Sequence, residues 1–257
     1  MTKLVAPQTF DQEFNVRAFG ATGDGTTEDY APMQAAFDAV NANGGGVLII
    51  PPGTYIISQT LTIGSAGNIH IKAHGARIKR SATPDGPGPT KMYGLLQNFR
   101  AEGQSGETSY NGYDGPGNIL IEGGIWDVNG RTGGSADRAN GIMIAHATNV
   151  VIRDITVLDV IGYHSIEINS TDGAYIENCT FSGFNDDGGT RRISAALQLD
   201  YPSIDTLSSN EYDLTFCKNA TAIGCTTKES ADLPSYGRFF ESHSSRTGHA
   251  HSNVRVI

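Results

Sequence analysis

One short word recurs along this chain at uneven intervals: a turn residue, usually asparagine, followed by alternating apolar positions. It reads Asn68-Ile69-His70-Ile71, Asn118-Ile119-Leu120-Ile121, Asn149-Val150-Val151-Ile152, Gly173-Ala174-Tyr175-Ile176, Asn219-Ala220-Thr221-Ala222 and Asn253-Val254-Arg255-Val256, with starts 24 to 50 residues apart. Propellers and leucine-rich repeats need nearly constant periods. A solenoid of short parallel strands does not, because only its strands must stay in register while the turns between them swell into loops. The expected fold is therefore all-β, a right-handed parallel β-helix with three strands per rung.

A second series precedes these words: Ile142-Met143-Ile144-Ala145, Ile166-Glu167-Ile168-Asn169, Leu197-Gln198-Leu199-Asp200 and Phe240-Glu241-Ser242-His243. Side chains alternate across a strand, so Ile142, Ile166, Leu197 and Phe240 are expected to stack inward. The outward columns then read Met143, Glu167, Gln198, Glu241 and Ala145, Asn169, Asp200, His243, with neighbours about 4.8 Å apart. Cys179 and Cys225 share a repeat position with Ile155 and are expected in the interior as reduced thiols.

The helix signal is confined to the start. Met33, Ala36, Phe37 and Val40 recur at helical spacing and predict a helix from about Thr27 to Asn41, ended by Gly44-Gly45-Gly46 and followed by a strand, Val47 to Ile50, closed by Pro51-Pro52-Gly53. A weak strand is expected around Tyr93 to Gln97 within the Gly/Pro/Ser-rich stretch from Ala82 to Gly117. Residues 1–60 are assigned to a cap with the first coil, and 61–257 to rungs of the same continuous domain, the last one incomplete.

The formal net charge of −9 argues against a nucleic-acid partner, which requires a basic face. Three cysteines in no zinc-binding spacing imply neither metal nor cofactor. Met1 to Phe14 lacks a basic start followed by an apolar run, so neither a secretory signal nor a membrane anchor is expected. That implies synthesis in a cytoplasm, with a secreted enzyme as the alternative.

Phe14-Asn15-Val16-Arg17-Ala18-Phe19-Gly20-Ala21-Thr22-Gly23-Asp24-Gly25, the helix, and Pro51-Pro52-Gly53-Thr54-Tyr55 resemble the opening of the pectate-lyase-like β-helix superfamily, which includes polygalacturonases and bacteriophage tailspike depolymerases. Gly123-Gly124-Ile125-Trp126-Asp127-Val128-Asn129-Gly130 is similar to that group's first full rung. Ala195-Ala196-Leu197-Gln198-Leu199-Asp200 and Glu241-Ser242-His243-Ser244, with His249 and His251, resemble a branch of phage tail and cell-surface proteins. The resemblance implies a cell-surface or cell-wall polysaccharide as partner, a virion tail as the first expected location and a secreted enzyme as the second, and a homotrimer that covers the unfinished rung at Asn253 to Ile257. The polygalacturonase catalytic words are not reproduced: Ser170-Thr171-Asp172 falls at a turn, Gly-His-Gly is absent, and Arg77-Ile78-Lys79 comes several coils too early.

Hydrolysis of a glycosidic bond needs one carboxylic acid and one carboxylate. Glu167 and Asp200, on adjacent strands, are the first candidate pair; Asp186 and Asp187, on the preceding loop, are the second. His243 is the candidate for assisting proton transfer. Gln198, Asn169, Glu241 and His164 are candidate substrate contacts, and Arg191, Arg192 and Arg246 could clamp a sugar carboxylate. Trp126 is read either as a sugar platform or as packing, His146 as a turn histidine or a functional one, and Asp24 and Asp29 as turn or helix-start residues. A polysaccharide depolymerase of hydrolase type is the first functional reading, a non-catalytic glycan-binding module the second and a lyase the third.

Overall fold

The computed structural model describes residues 11–83, 94–99, 110–201, 214–242 and 250–257. Within them the chain winds through three parallel sheets in fixed rotation. Sheet A has eight strands: Glu13–Asn15, Gly46–Ile49, Ile69–Lys72, Ile119–Glu122, Thr148–Arg153, Asp172–Glu177, Lys218–Ile223 and Arg255–Val256. Sheet B has seven: Asp24–Glu28, Gly53–Ile57, Ala76–Arg80, Ile125–Asp127, Thr156–Ile161, Thr180–Asn185 and Thr226–Lys228. Sheet C has six: Leu61–Thr62, Gly94–Gln97, Asn140–Ala145, Ile166–Asn169, Leu197–Asp200 and Phe240–Ser242. This is the right-handed parallel β-helix, the hand that twisted parallel strands impose on their crossovers.

The lumen is filled by columns of like side chains. Leu48, Ile71, Ile121, Ile152 and Ile176 stack on sheet A. Tyr55, Ile78, Trp126, Val157 and Phe181 stack on sheet B, and Leu61, Leu96, Ile142, Ile166 and Leu197 on sheet C. All are buried, each such side chain contributing about 1.5–3 kcal/mol of transfer free energy. Phe240 packs against this core while partly exposed. Trp126 lies wholly inside it, donating Nε1–H to Gly123 O at 3.3 Å, so the sugar-platform alternative does not hold.

The recurring asparagines sit at the corner from sheet C to sheet A in the left-handed backbone region, with φ of 47° at Asn68, 54° at Asn118, 55° at Asn149, 52° at Asn219 and 51° at Asn253. Asparagine tolerates that region better than other residues with a Cβ. Each side chain then donates to the rung before it: Asn118 to Asn68 at 2.8 Å, Asn149 to Asn118 at 3.1 Å and Asn253 to Asn219 at 2.7 Å. Gly173 breaks the ladder, and Asn219 donates instead to Asp172 Oδ1 at 2.7 Å.

The helix, α1, runs over Tyr30–Ala42, three residues later than Thr27. Thr27 belongs to a sheet B strand, and the Asp29 N–H is committed to Ile56 O at 2.7 Å, which delays the start. Met33, Ala36, Phe37 and Val40 seal the end of the lumen, and Gln34 exchanges hydrogen bonds with the Thr62 backbone at 2.9 and 3.0 Å, covering a strand edge. At the helix exit Gly45 has φ 133°, and a Cβ there would lie 2.5 Å from Asn68 O. Asp24 caps its own turn by accepting the Thr26 and Thr27 amides, and Asp29 is buried, accepting those of Thr22 and Gly23. The weak strand is Gly94–Gln97; Tyr93 lies outside the described residues.

Candidate functional site

The outer face of sheet C carries the columns expected from alternation. Register pairs Met143 with Glu167, Glu167 with Gln198 and Gln198 with Glu241; beside them Ala145 pairs with Asn169 and Asn169 with Asp200. They point away from the lumen, but they are not an open surface: Glu167 is 4% exposed, Asp200 2%, and Asn169 and Gln198 fully buried. Two features close the face. Phe99, Met143, Ala145 and Tyr110 form a second apolar cluster separate from the lumen. The run from Tyr110 to Pro116, part of the longest interval between repeats, folds across the corner: Gly115 N donates to His146 O at 2.8 Å, Tyr113 to Phe216 O at 2.7 Å, and Asn98 to Pro116 O at 3.3 Å.

Glu167 is held at the middle of this floor. Its Oε2 accepts from Asn140 Nδ2 at 2.9 Å and its Oε1 from Asn169 Nδ2 at 3.0 Å. Asn140 in turn accepts the His164 N–H at 2.8 Å. His164 lies 2.8 Å through Nδ1 from Ala195 O, and since a carbonyl only accepts, that nitrogen carries the proton. His146 is likewise buried, its Nδ1 2.9 Å from Gly112 O, which makes it a structural turn histidine. Asp200 closes its own strand end, accepting the Tyr201 N–H at 2.8 Å.

The second carboxyl pair sits elsewhere. Asp186 and Asp187 lie at the corner between sheets B and C, before the strand whose far end is Asp200. Asp187 is gripped by the Arg138 guanidinium and by Thr190, and those hydrogen bonds hold its carboxyl below the usual carboxylate range. Asp186 accepts the Gly189 N–H at 2.9 Å and lies 3.7 Å from Arg192. Arg191 donates to Gly162 O at 2.9 Å with its guanidinium over the Tyr163 ring, whereas the Arg192 side chain is 79% exposed. Glu241 lies 3.7 Å from Arg238 at the last rung. His243 and Arg246 fall outside the described residues. The structure thus groups Glu167, Asn169, Gln198, Asp200 and His164 on one face, and Asp186, Asp187, Arg191 and Arg192 at its neighbouring corner.

Sequence reasoning missed His251 as a neighbour of Asp200. The Lys218 to Ser252 bridge stacks His251 against Cys217, whose N–H it accepts at Nδ1, 2.9 Å away. A backbone N–H can only donate, so the proton of the neutral ring is on Nε2. Burial pushes His251 below the usual histidine range, against the opposing charge of Asp200. The signal was the repeat itself, once the interval from Asn219 to Asn253 is read as one rung.

Comparison with known proteins follows this geometry. The profile of the "Rhamnogalacturonase A/epimerase, pectate lyase-like" family matches residues 13–233. This chain belongs to that family. Among family-like relatives, the plasmin and fibronectin-binding protein A of Streptococcus pneumoniae is 24% identical over 191 residues, covering 70% of this chain and 26% of the relative. Its crystal structure, described as a surface adhesin, superposes with TM-score 0.79 at 18% identity over 95% of this chain and 56% of that one. The pre-neck appendage protein of Bacillus phage phi29 is 28% identical over 204 residues, 72% of this chain and 22% of the relative. The tailspike of E. coli bacteriophage HK620, solved with a pentasaccharide, superposes with TM-score 0.55 at 15% identity over 96% of this chain and 40% of that one. The chain thus spans about a quarter of the sequence relatives it matches. The superpositions establish the β-helix; an adhesin and a tailspike share it, so the fold does not choose between binding and cleavage. Among the described residues no helix is long and apolar enough to cross a membrane, and no group of three or more His, Cys, Asp or Glu is placed to hold a metal.

Proposed function

We propose that this chain is a polysaccharide depolymerase module that hydrolyses glycosidic bonds on the outer face of sheet C, with Glu167 and Asp200 as its carboxyl pair. The observation that carries this reading is their register. They are one rung and two residues apart, a diagonal of about 8 Å between backbone positions from the strand spacings. Inverting glycosidases hold their two carboxyl groups about 6.5–9.5 Å apart to admit a water, and side chains rooted on such a diagonal have the reach for that separation. Asn169 and Gln198 occupy the other corners of the same quadrilateral, and the Asn169 amide orients the Glu167 carboxylate. One carboxylic acid protonates the leaving oxygen while the other carboxylate takes a proton from the attacking water. A polymer running across the rungs would meet Glu241 and His164 on the same face, and Arg191 and Arg192 at the adjacent corner. The likeness to a phage pre-neck appendage protein supports a place on a virion, and a cell-surface glycan as substrate and a trimeric assembly are part of the same proposal.

Incubation with acidic and neutral surface glycans tests this. Reducing ends should appear with the wild-type chain and fall by about 10²–10⁴-fold in Glu167→Gln and Asp200→Asn proteins that remain folded; full activity in both removes this face from consideration.

The near-complete burial of both carboxylates favours a second reading, a module that binds a glycan without cleaving it. Retention of the polymer without shortening after long incubation would establish it in place of hydrolysis.

A further inference from the structure

We propose that Cys179 and Cys225 form a thiol–disulfide site: a low-molecular-weight disulfide oxidises them to a covalent staple between two successive rungs. The inference is independent of what the chain does to glycans.

Both cysteines occupy the corner from sheet A to sheet B, one position before the sheet B strand. Register pairs Thr180 with Thr226, so Cys179 and Cys225 are stacked directly, one rung apart. The ladder through them is continuous, Thr180 N donating to Ile155 O and Thr226 N to Cys179 O, both at 2.9 Å. Neighbouring rungs repeat at about 4.8 Å, inside the window of about 4.4–6.8 Å between Cα atoms that a disulfide bridges without moving backbone. Both side chains turn to the same side, Cys179 within the core and Cys225 packed against it.

The two sulfurs differ in a way that assigns their roles. Cys225 is partly exposed and Cys179 is buried. Each is the leading influence on the other: the Cys179 thiol lowers Cys225 from its ordinary range, while Cys225 and burial raise Cys179. Cys225 is therefore the attacking thiolate and Cys179 the resolving thiol. The Cys225 thiolate attacks one sulfur of the small disulfide, forming a mixed disulfide and expelling one thiolate. Cys179 then loses its proton, attacks Cys225 Sγ and expels the second. Two protein thiols are oxidised, one small disulfide is reduced to two thiols, and no other electron acceptor is needed. Cys217 is an internal control: it is buried beneath Asp200, its Sγ 3.4 Å from Asp200 O, and burial pushes its thiol up to about 12.

The test is incubation of the native chain with oxidised glutathione, followed by thiol titration and non-reducing peptide mapping. Titratable thiols should fall from three to one, the mass should drop by two hydrogens, and one cross-linked peptide should join Cys179 to Cys225. Cys217→Ser should still form it, and Cys179→Ser should stop at glutathione attached to Cys225. Retention of three free thiols overturns the proposal, as does a wild-type chain that accumulates glutathione on Cys225 without closing the bond.

Discussion

Asn140 and Glu167 lie on successive rungs, and the amide of the first donates to the carboxylate of the second at 2.9 Å while both side chains are buried. The contact binds two turns of the solenoid and fixes the orientation of the carboxylate through one oxygen, leaving Asn169 to fix the other.

Asn140→Ala should therefore destabilise the chain by about 1–3 kcal/mol, the cost of leaving a buried polar group without its partner. The same change also deprives the His164 N–H of its acceptor. Glu167→Gln should cost less, because an amide keeps one accepting oxygen. Urea denaturation with an unchanged m-value measures both, and an unchanged midpoint for Asn140→Ala would contradict the closed cradle.

The asparagine ladder makes a second prediction. Asn149 combines φ 55° with a hydrogen bond to Asn118, so two effects can be separated. Asn149→Gly loses the ladder bond but keeps the backbone at ease; Asn149→Ala loses both and adds about 1–2 kcal/mol of left-handed strain. Alanine should melt below glycine, and equal melting temperatures would mean that the backbone conformation carries no cost.

Most of the architecture was legible because the solenoid writes itself twice, as inward apolar columns and as turn asparagines. Ile142, Ile166 and Leu197 stack as alternation requires, and Cys179 and Cys225 fall where Ile155 does. What stayed hidden depends on loops without periodicity. Alternation places Glu167 and Asp200 on the outer face but says nothing of their near-complete burial, and the apolar cluster on that face draws Tyr110 from a loop outside the repeat. The pairing of Asp187 with Arg138 joins loops of different rungs, and no spacing in the sequence announces it. Helix α1 began late for a similar reason: its first expected turn was taken by a strand whose partner lies beyond the helix.

Acid should weaken the fold before the carboxylates begin to titrate. Burial lowers both His70 and His251 below the histidine value of 6.5. A histidine whose folded pKa is depressed binds its proton more readily when unfolded, so stability is full above about pH 6.5 and falls as pH drops toward the folded values. Thermal melts at pH 7.5 and 5.5 should show the loss, and His251→Asn, which keeps an acceptor for the Cys217 N–H, should reduce it. A melting temperature flat across that interval would show that neither ring is held neutral by the fold.

Asp187 and Asp200 should separate when each is neutralised. The Asp187 carboxylate is bound by Arg138 and Thr190 at the corner between sheets B and C, and its lowered pKa means that it stabilises the fold above its ordinary value of 3.8 and ceases to as pH falls below it. Asp187→Asn should therefore lower the melting temperature at pH 7 and leave glycan turnover unchanged. Asp200 accepts a hydrogen bond from the adjacent Tyr201 backbone and faces the Glu167 floor, so Asp200→Asn should reduce turnover with a smaller shift in melting. Measuring both quantities on both variants decides where the chemistry sits. If Asp187→Asn abolishes product without moving the melting temperature, the acid belongs at the Arg138 corner and not on the outer face of sheet C.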